Sequence, residues 1–122
     1  LPGSDASLRA PWGPLGADHP HPRAYSTMPE FYRRLRTLGV SRESAVHRMT
    51  GAAAERFGLG SRGVIAKGAF ADIVVWREEE FRGVATYTNP HQFAKGVEFV
   101  FVNGELEYAN GTFIPRKGGR LL

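Results

Sequence analysis

The sequence predicts a mixed α/β chain, with helices first, antiparallel strands second and a boundary near residue 60. Three observations carry this. Apolar residues recur at helical spacing between residues 30 and 57. From Gly58 the texture changes to glycine-rich turns and short runs of β-branched and aromatic residues. Two Asn-Gly pairs, Asn103-Gly104 and Asn110-Gly111, then stand between such runs, the strongest short-range signal for a two-residue hairpin.

Residues 1–29 hold six of the eight prolines: Pro2, Pro11, Pro14, Pro20, Pro22 and Pro29. Proline fixes φ and removes a backbone donor, so the expectation is a long loop, neither regular helix nor interior strand. Trp12 and Tyr25 favour a loop that packs against the rest of the chain. Loops of this length in compact proteins are functional or disordered. In residues 30–38, Phe31, Leu35 and Leu38 fall at i, i+4 and i+7, a short amphipathic helix ended by Gly39. Ser41 reads as an N-cap, and Ala45, Val46 and Met49 as the apolar stripe of a second helix. Thr50 opens a third turn running from Gly51 to Phe57, closed by Gly58. The strand candidates are Val64-Ile65, Ala71–Trp76, residues 97–102, Glu105–Tyr108 and Thr112–Ile114, with Arg77–Glu80 as a solvated loop between them.

The 122 residues make one modest domain's worth of chain. At 42% hydrophobic and 23% charged they are globular in composition. The absence of cysteine excludes disulfides, thiolate metal ligands and thiol nucleophiles within these residues. No apolar run approaches the roughly 18 residues needed to span a bilayer. The opening Leu-Pro-Gly-Ser-Asp has neither a charged n-region nor an apolar h-region, so no secretory signal is visible, and a cytoplasmic home is the default. A start without Met is that expected of a fragment. Sixteen Lys and Arg against twelve Asp and Glu give +4. These cations are spread along the chain. The two local groups, Arg33-Arg34-Arg36 and Arg116-Lys117-Arg120, lack interleaved aromatics, so neither a nucleic-acid nor a membrane partner is expected.

For chemistry, Asp5 stands where a small-residue segment gives way to a loop, a common catalytic placement in barrel enzymes, although a lone Asp there is more often a turn or capping residue. His19-Pro20-His21-Pro22-Arg23 is more informative. Two imidazoles at i, i+2 lie on one side of an extended segment, a possible arrangement for metal ligands. With no further ligand nearby in sequence, a substrate anchor with packing roles is favoured over a metal site. Arg23 offers a planar fork of donors suited to a carboxylate. His47 and His91 read as structural or solvated. No phosphate loop, dinucleotide fingerprint or G-x-S-x-G nucleophile elbow is present.

Several segments in order resemble the C-terminal part of the amidohydrolase superfamily. They are Gly3-Ser4-Asp5, Ser44–Thr50, Ala54–Leu59, Arg62–Ile65, Gly68–Val75 and Val100–Gly104. His19–Arg23 narrows the likeness to the N-acyl-D-amino-acid deacylases, the D-aminoacylases. The resemblance implies a metal-dependent (β/α)8 barrel with a smaller β-sandwich domain. Residues 1–60 would be the end of the barrel (last strand, catalytic-face loop over 6–29, closing helices over 30–57). Residues 61–122 would be the C-terminal segment of the β-domain.

The resemblance further implies a zinc-dependent hydrolysis of the N-acyl amide to a carboxylate and a free D-amino acid. Asp5 matches the aspartate that moves the proton of the attacking water, with a possible second role as a ligand of a weaker metal site. Arg23 matches the residue that grips the substrate α-carboxylate. Two departures stand out. The loop between Asp5 and Arg23 is longer and richer in Ala and Pro than in typical members. The family's other zinc ligands belong to earlier barrel strands, so this segment should be inactive alone and should need the missing N-terminal barrel portion as partner. Without it, Phe31, Leu35, Leu38, Val46 and Met49 are expected to expose apolar surface and drive self-association. The alternatives are an amidohydrolase acting on another amide or cyclic amide, and a non-catalytic β-module that binds a partner through its basic surface.

Overall fold

A computed structural model describes residues 1–121. Three helices come first: α1 (Arg23–Thr37), α2 (Arg42–Met49) and α3 (Gly51–Arg56). They precede a four-stranded antiparallel meander of β1 (Ile73–Trp76), β2 (Val97–Val102), β3 (Glu105–Ala109) and β4 (Thr112–Phe113), paired in the order β1-β2-β3-β4. Among the described residues, no helix is long and apolar enough to cross a membrane.

Helix α1 departs from the sequence expectation. It begins at Arg23 rather than residue 30 and carries Pro29 inside it. An interior proline costs about 3 kcal/mol relative to alanine. The helix persists because Ser26, Pro29, Tyr32 and Leu35, spaced by three, form its buried stripe. The stripe expected from Phe31, Leu35 and Leu38 is therefore rotated. Tyr32 (1% exposed) occupies the core, Leu35 is buried beside it, and Leu38 is 70% exposed. Tertiary packing overrides the local proline signal. Gly83 approaches Ser26 so closely that a Cβ there would lie 2.5 Å from the serine Oγ, which explains two small residues at this crossing.

Helix α1 ends as expected, in a Schellman motif. Gly39 takes φ +78°, its N–H reaches Arg36 O, and Val40 N–H reaches Leu35 O. Ser41 caps α2 by accepting the Ser44 N–H at 3.1 Å. Thr50 stands at the cap position of α3, but its hydroxyl donates back to Val46 O instead of accepting from the new helix. Both Asn-Gly turns form with positive φ at both residues and join strands in direct register, Val102 opposite Glu105 and Ala109 opposite Thr112. Val64-Ile65 is not a strand. Nothing pairs with it among the described residues, and Ile65 is 91% exposed.

The core joins helices to sheet through the long excursion between β1 and β2. Tyr32, Leu35 and Ala45 pack with Phe81, and Phe31, Val46, Met49, Trp76 and Val97 surround them. The rings of Tyr32 and Trp76 meet edge to face at 4.6 Å. Leu35 thus completes the core of this chain, where the sequence reading left it exposed. The excursion is closed by an Arg82–Lys95 bridge and an Arg77 N–H to Gly96 O bond of 2.8 Å.

At the far end of the sheet, Asp72 ties the turns together. It pairs with Arg62 and accepts the Asn103 N–H at 2.8 Å. Arg62 also donates to Asn103 Oδ1 at 2.7 Å, and Asn103 Nδ2 donates to Gly118 O at 2.6 Å.

Candidate functional site

Asp5 and Arg23, eighteen positions apart in sequence, are brought together. Arg23 Nη2 donates to both Oδ2 and the backbone carbonyl of Asp5, each at 2.9 Å. Asp5 has φ +49°, a left-handed conformation uncommon for non-glycine residues but more accessible to Asp and Asn than to most. In this conformation one guanidinium nitrogen reaches both its carbonyl and its carboxylate. The side chains are 46% and 90% exposed. Such a pair contributes little to stability and is easily exchanged for another carboxylate.

The position of Arg23 follows from its neighbours. It is the first residue of α1, whose opening N–H groups have no partner within the helix. His21 provides one: its Nδ1 accepts the Arg23 N–H at 3.0 Å, and its carbonyl accepts the Ala24 N–H at 3.0 Å. Pro22, with φ −51°, is already set for the turn.

Three histidines fasten this segment to the β1–β2 excursion. His19 Nε2 donates to Tyr87 O at 2.5 Å, and His91 Nε2 donates to Asp18 O at 2.8 Å. His21 Nε2 meets the Tyr87 hydroxyl at 2.8 Å, and the Tyr25 hydroxyl donates to His91 Nδ1 at 3.2 Å. Carbonyl oxygens only accept and backbone N–H groups only donate. In the neutral imidazoles the proton is thereby assigned to Nε2 on all three. His21 then donates to Tyr87 Oη. An aromatic row continues the contact, Tyr25 on Phe93, Phe93 on Trp12, and Trp12 on Phe113. The packing expected of Trp12 and Tyr25 is present.

The i, i+2 histidines do converge, but on Tyr87 and not on each other. No three His, Asp or Glu side chains among the described residues are grouped to hold a metal ion. Asp5 alone, with an exposed carboxylate, could add a single oxygen to a site built by other residues. His47 lies within α2, its ring against Gly51 and away from this cluster.

Two residues that sequence reasoning passed over matter here. Tyr87 gives no periodic signal, and its partners lie 66 and 68 positions away. Glu78 reads as part of a solvated acidic run, yet it accepts from Tyr32, Arg36 and Arg42 and joins the excursion to both α1 and α2. Its three partners hold the carboxyl below its ordinary range, the Tyr32 hydrogen bond most of all. Burial, with Glu78 as neighbour, raises the Tyr32 phenol, which stays neutral.

The amidohydrolase family pattern matches residues 3–108. A D-aminoacylase of Alcaligenes xylosoxydans xylosoxydans is 38% identical over 107 residues, covering 86% of this chain and 22% of that protein. An N-acyl-D-aspartate deacylase of the same organism is 40% identical over 91 residues, covering 70% and 18%. A crystal structure of D-aminoacylase superposes with a TM-score of 0.79 at 36% identity, covering 84% of this chain and 22% of that one. An N-acyl-D-glutamate deacylase from Bordetella bronchiseptica, complexed with zinc and a phosphonate mimic of the tetrahedral intermediate, gives 0.70 at 33%, covering 77% and 20%. The chain spans about a fifth of the length of these relatives. The pattern runs from the residues before Asp5 through β3, and with these relatives it shows that the chain belongs to the amidohydrolase family.

Proposed function

We propose that this chain is the C-terminal part of a zinc-dependent N-acyl-D-amino-acid deacylase. Residues 1–60 form the end of its barrel, and 61–122 the C-terminal share of its small β-sandwich domain. The observation that carries the reading is the Asp5–Arg23 pair, which sets a carboxylate and a carboxylate-binding guanidinium 2.9 Å apart at one exposed edge. The relatives' names supply the substrate class.

The residues of this chain do not hold zinc by themselves, so its ligands are assigned to the barrel strands outside it, with Asp5 as one added oxygen. Such a metal, when bound, supplies a polarised carbonyl and a more acidic water. Asp5 accepts the proton of that attacking water and returns it to the leaving amine as the C–N bond breaks. Arg23 orients the substrate by its α-carboxylate, a two-point task suited to a planar fork. Asp5 itself engages Arg23, and an incoming α-carboxylate takes over part of that grip.

The test uses the full-length protein. Metal analysis should find zinc, and N-acetyl-D-amino acids should be cleaved in preference to their L forms. Asp5→Asn should lower kcat by about a thousandfold with zinc retained. Zinc with turnover only of other amides would move the substrate within the family, and a fully active Asp5→Asn would refute the assignment of Asp5.

A further inference from the structure

Tyr87 forms no hydrogen bond with Asp5 or Arg23 among the described residues, yet it bonds the imidazole that accepts the Arg23 N–H. We propose that Tyr87 and His21 form a positioning relay that sets the substrate-binding direction of Arg23. The relay rests on the carboxylate-binding role proposed above.

His21 uses both ring nitrogens, Nδ1 on the Arg23 N–H at 3.0 Å and Nε2 on Tyr87 Oη at 2.8 Å. The second bond orients the ring for the first. The ring planes of His21 and Tyr87 lie at 79°, edge to face, a contact that favours the same orientation as the hydrogen bond. Tyr87 is itself held. It stands in a turn closed by Thr86 N–H to Asn89 O and by Asn89 N–H to Thr86 Oγ1, both 3.0 Å. Gln92 Nε2 braces the turn through Val84 O and Asn89 O, both at 2.9 Å. His19 and His91 then clamp the turn to the segment before α1.

The excursion from the β-half therefore reaches across and fixes the first turn of α1. A guanidinium at a helix start inherits any error in that turn, and two-point carboxylate recognition tolerates little angular error. Tyr87 and His21 are positioning residues: they act on substrate only through Arg23.

The experiment compares full-length wild type with Tyr87→Phe, His21→Ala and His21→Asn. Each is measured on an N-acetyl-D-amino acid and on its primary amide, which lacks the α-carboxylate, as substrate or competitive inhibitor. Loss of one hydrogen bond in Tyr87→Phe should raise KM for the acid about fivefold, with kcat and the amide constant unchanged. His21→Ala should do at least as much. His21→Asn keeps an acceptor for that N–H but has no ring for Tyr87 to orient, so its KM for the acid should match that of Tyr87→Phe. Amide exchange at Arg23 should speed up in all three variants, most in His21→Ala.

Equal losses on acid and amide, or a lowered Tm with unchanged discrimination, would show a merely structural role and overturn the relay. If wild type cleaves no N-acyl-D-amino acid, the proposed function fails, and Arg23 exchange decides the relay by itself. Unaltered exchange in Tyr87→Phe overturns it.

Discussion

Tyr32, on α1, donates its phenol to Glu78 Oε1 at 2.7 Å, and the ring beneath that hydroxyl is the largest fully buried side chain among the described residues. One residue thereby contributes both to the core and to the ion cluster above it. Tyr32→Phe keeps the ring and removes the bond, so it should cost about 1 kcal/mol. Tyr32→Ala should cost about 3–5 kcal/mol. Equilibrium urea unfolding of the two variants separates these contributions.

Asp72 accepts the Asn103 N–H and pairs with Arg62, and these contacts hold its carboxyl below the ordinary range, the Asn103 bond foremost. The unfolded chain therefore binds more protons in acid than the folded one. The stabilisation is complete above the unfolded pKa of Asp72 and is lost as pH falls through the folded value. Glu78 acts in the same sense. Asp72→Asn should cost about 2 kcal/mol near neutrality and flatten the acid limb of Tm against pH. An acid limb as steep as wild type would remove Asp72 from this account.

Two glycines with nearly the same φ should respond differently. Gly104 (φ +86°) has open space where a Cβ would go, whereas a Cβ on Gly96 (φ +85°) would lie 2.6 Å from Phe81 N and 2.7 Å from Glu80 C. Gly104→Ala carries backbone strain alone, about 1 kcal/mol. Gly96→Ala adds overlap with main chain and should cost about 3 kcal/mol. Thermal unfolding of both variants reads the difference.

Arg23→Lys keeps the charge and loses the planar fork. In the full-length protein KM for an N-acyl-D-amino acid should rise by about tenfold or more, with a smaller change in kcat. A proportional fall in kcat with unchanged KM would place Arg23 in the chemical step instead.

The isolated 122-residue chain should self-associate, because Leu38, Phe57 and Ile65 are each at least 70% exposed. Phe57→Ser with Ile65→Thr should shift sedimentation toward the monomer.

Local chemistry was legible in the sequence wherever it was sufficient. Ser41, Gly39, Gly58 and the Asn-Gly pairs stand where their side chains and φ values require, because caps and tight turns are decided within a few residues. Pro29 and Val64-Ile65 were misread for one reason: local preference was outweighed by what was, or was not, packed alongside. Asp5 and Arg23 could be named from motif resemblance, but their contact could not. Tyr87 and Glu78 were invisible because their partners lie far away in sequence and follow no period.

The histidine clasp also orders events in time. Helical turns close over five residues and each hairpin over a two-residue turn, whereas the contacts of residues 18–25 with 87–91 span 66 to 73 positions. Loops of that length close after local structure has formed. Three of its four hydrogen bonds are exposed, so they are also weakly protected against local opening. The fastening of the segment before α1 to the excursion thus forms late, and a nascent protein acquires it only once residue 91 is available.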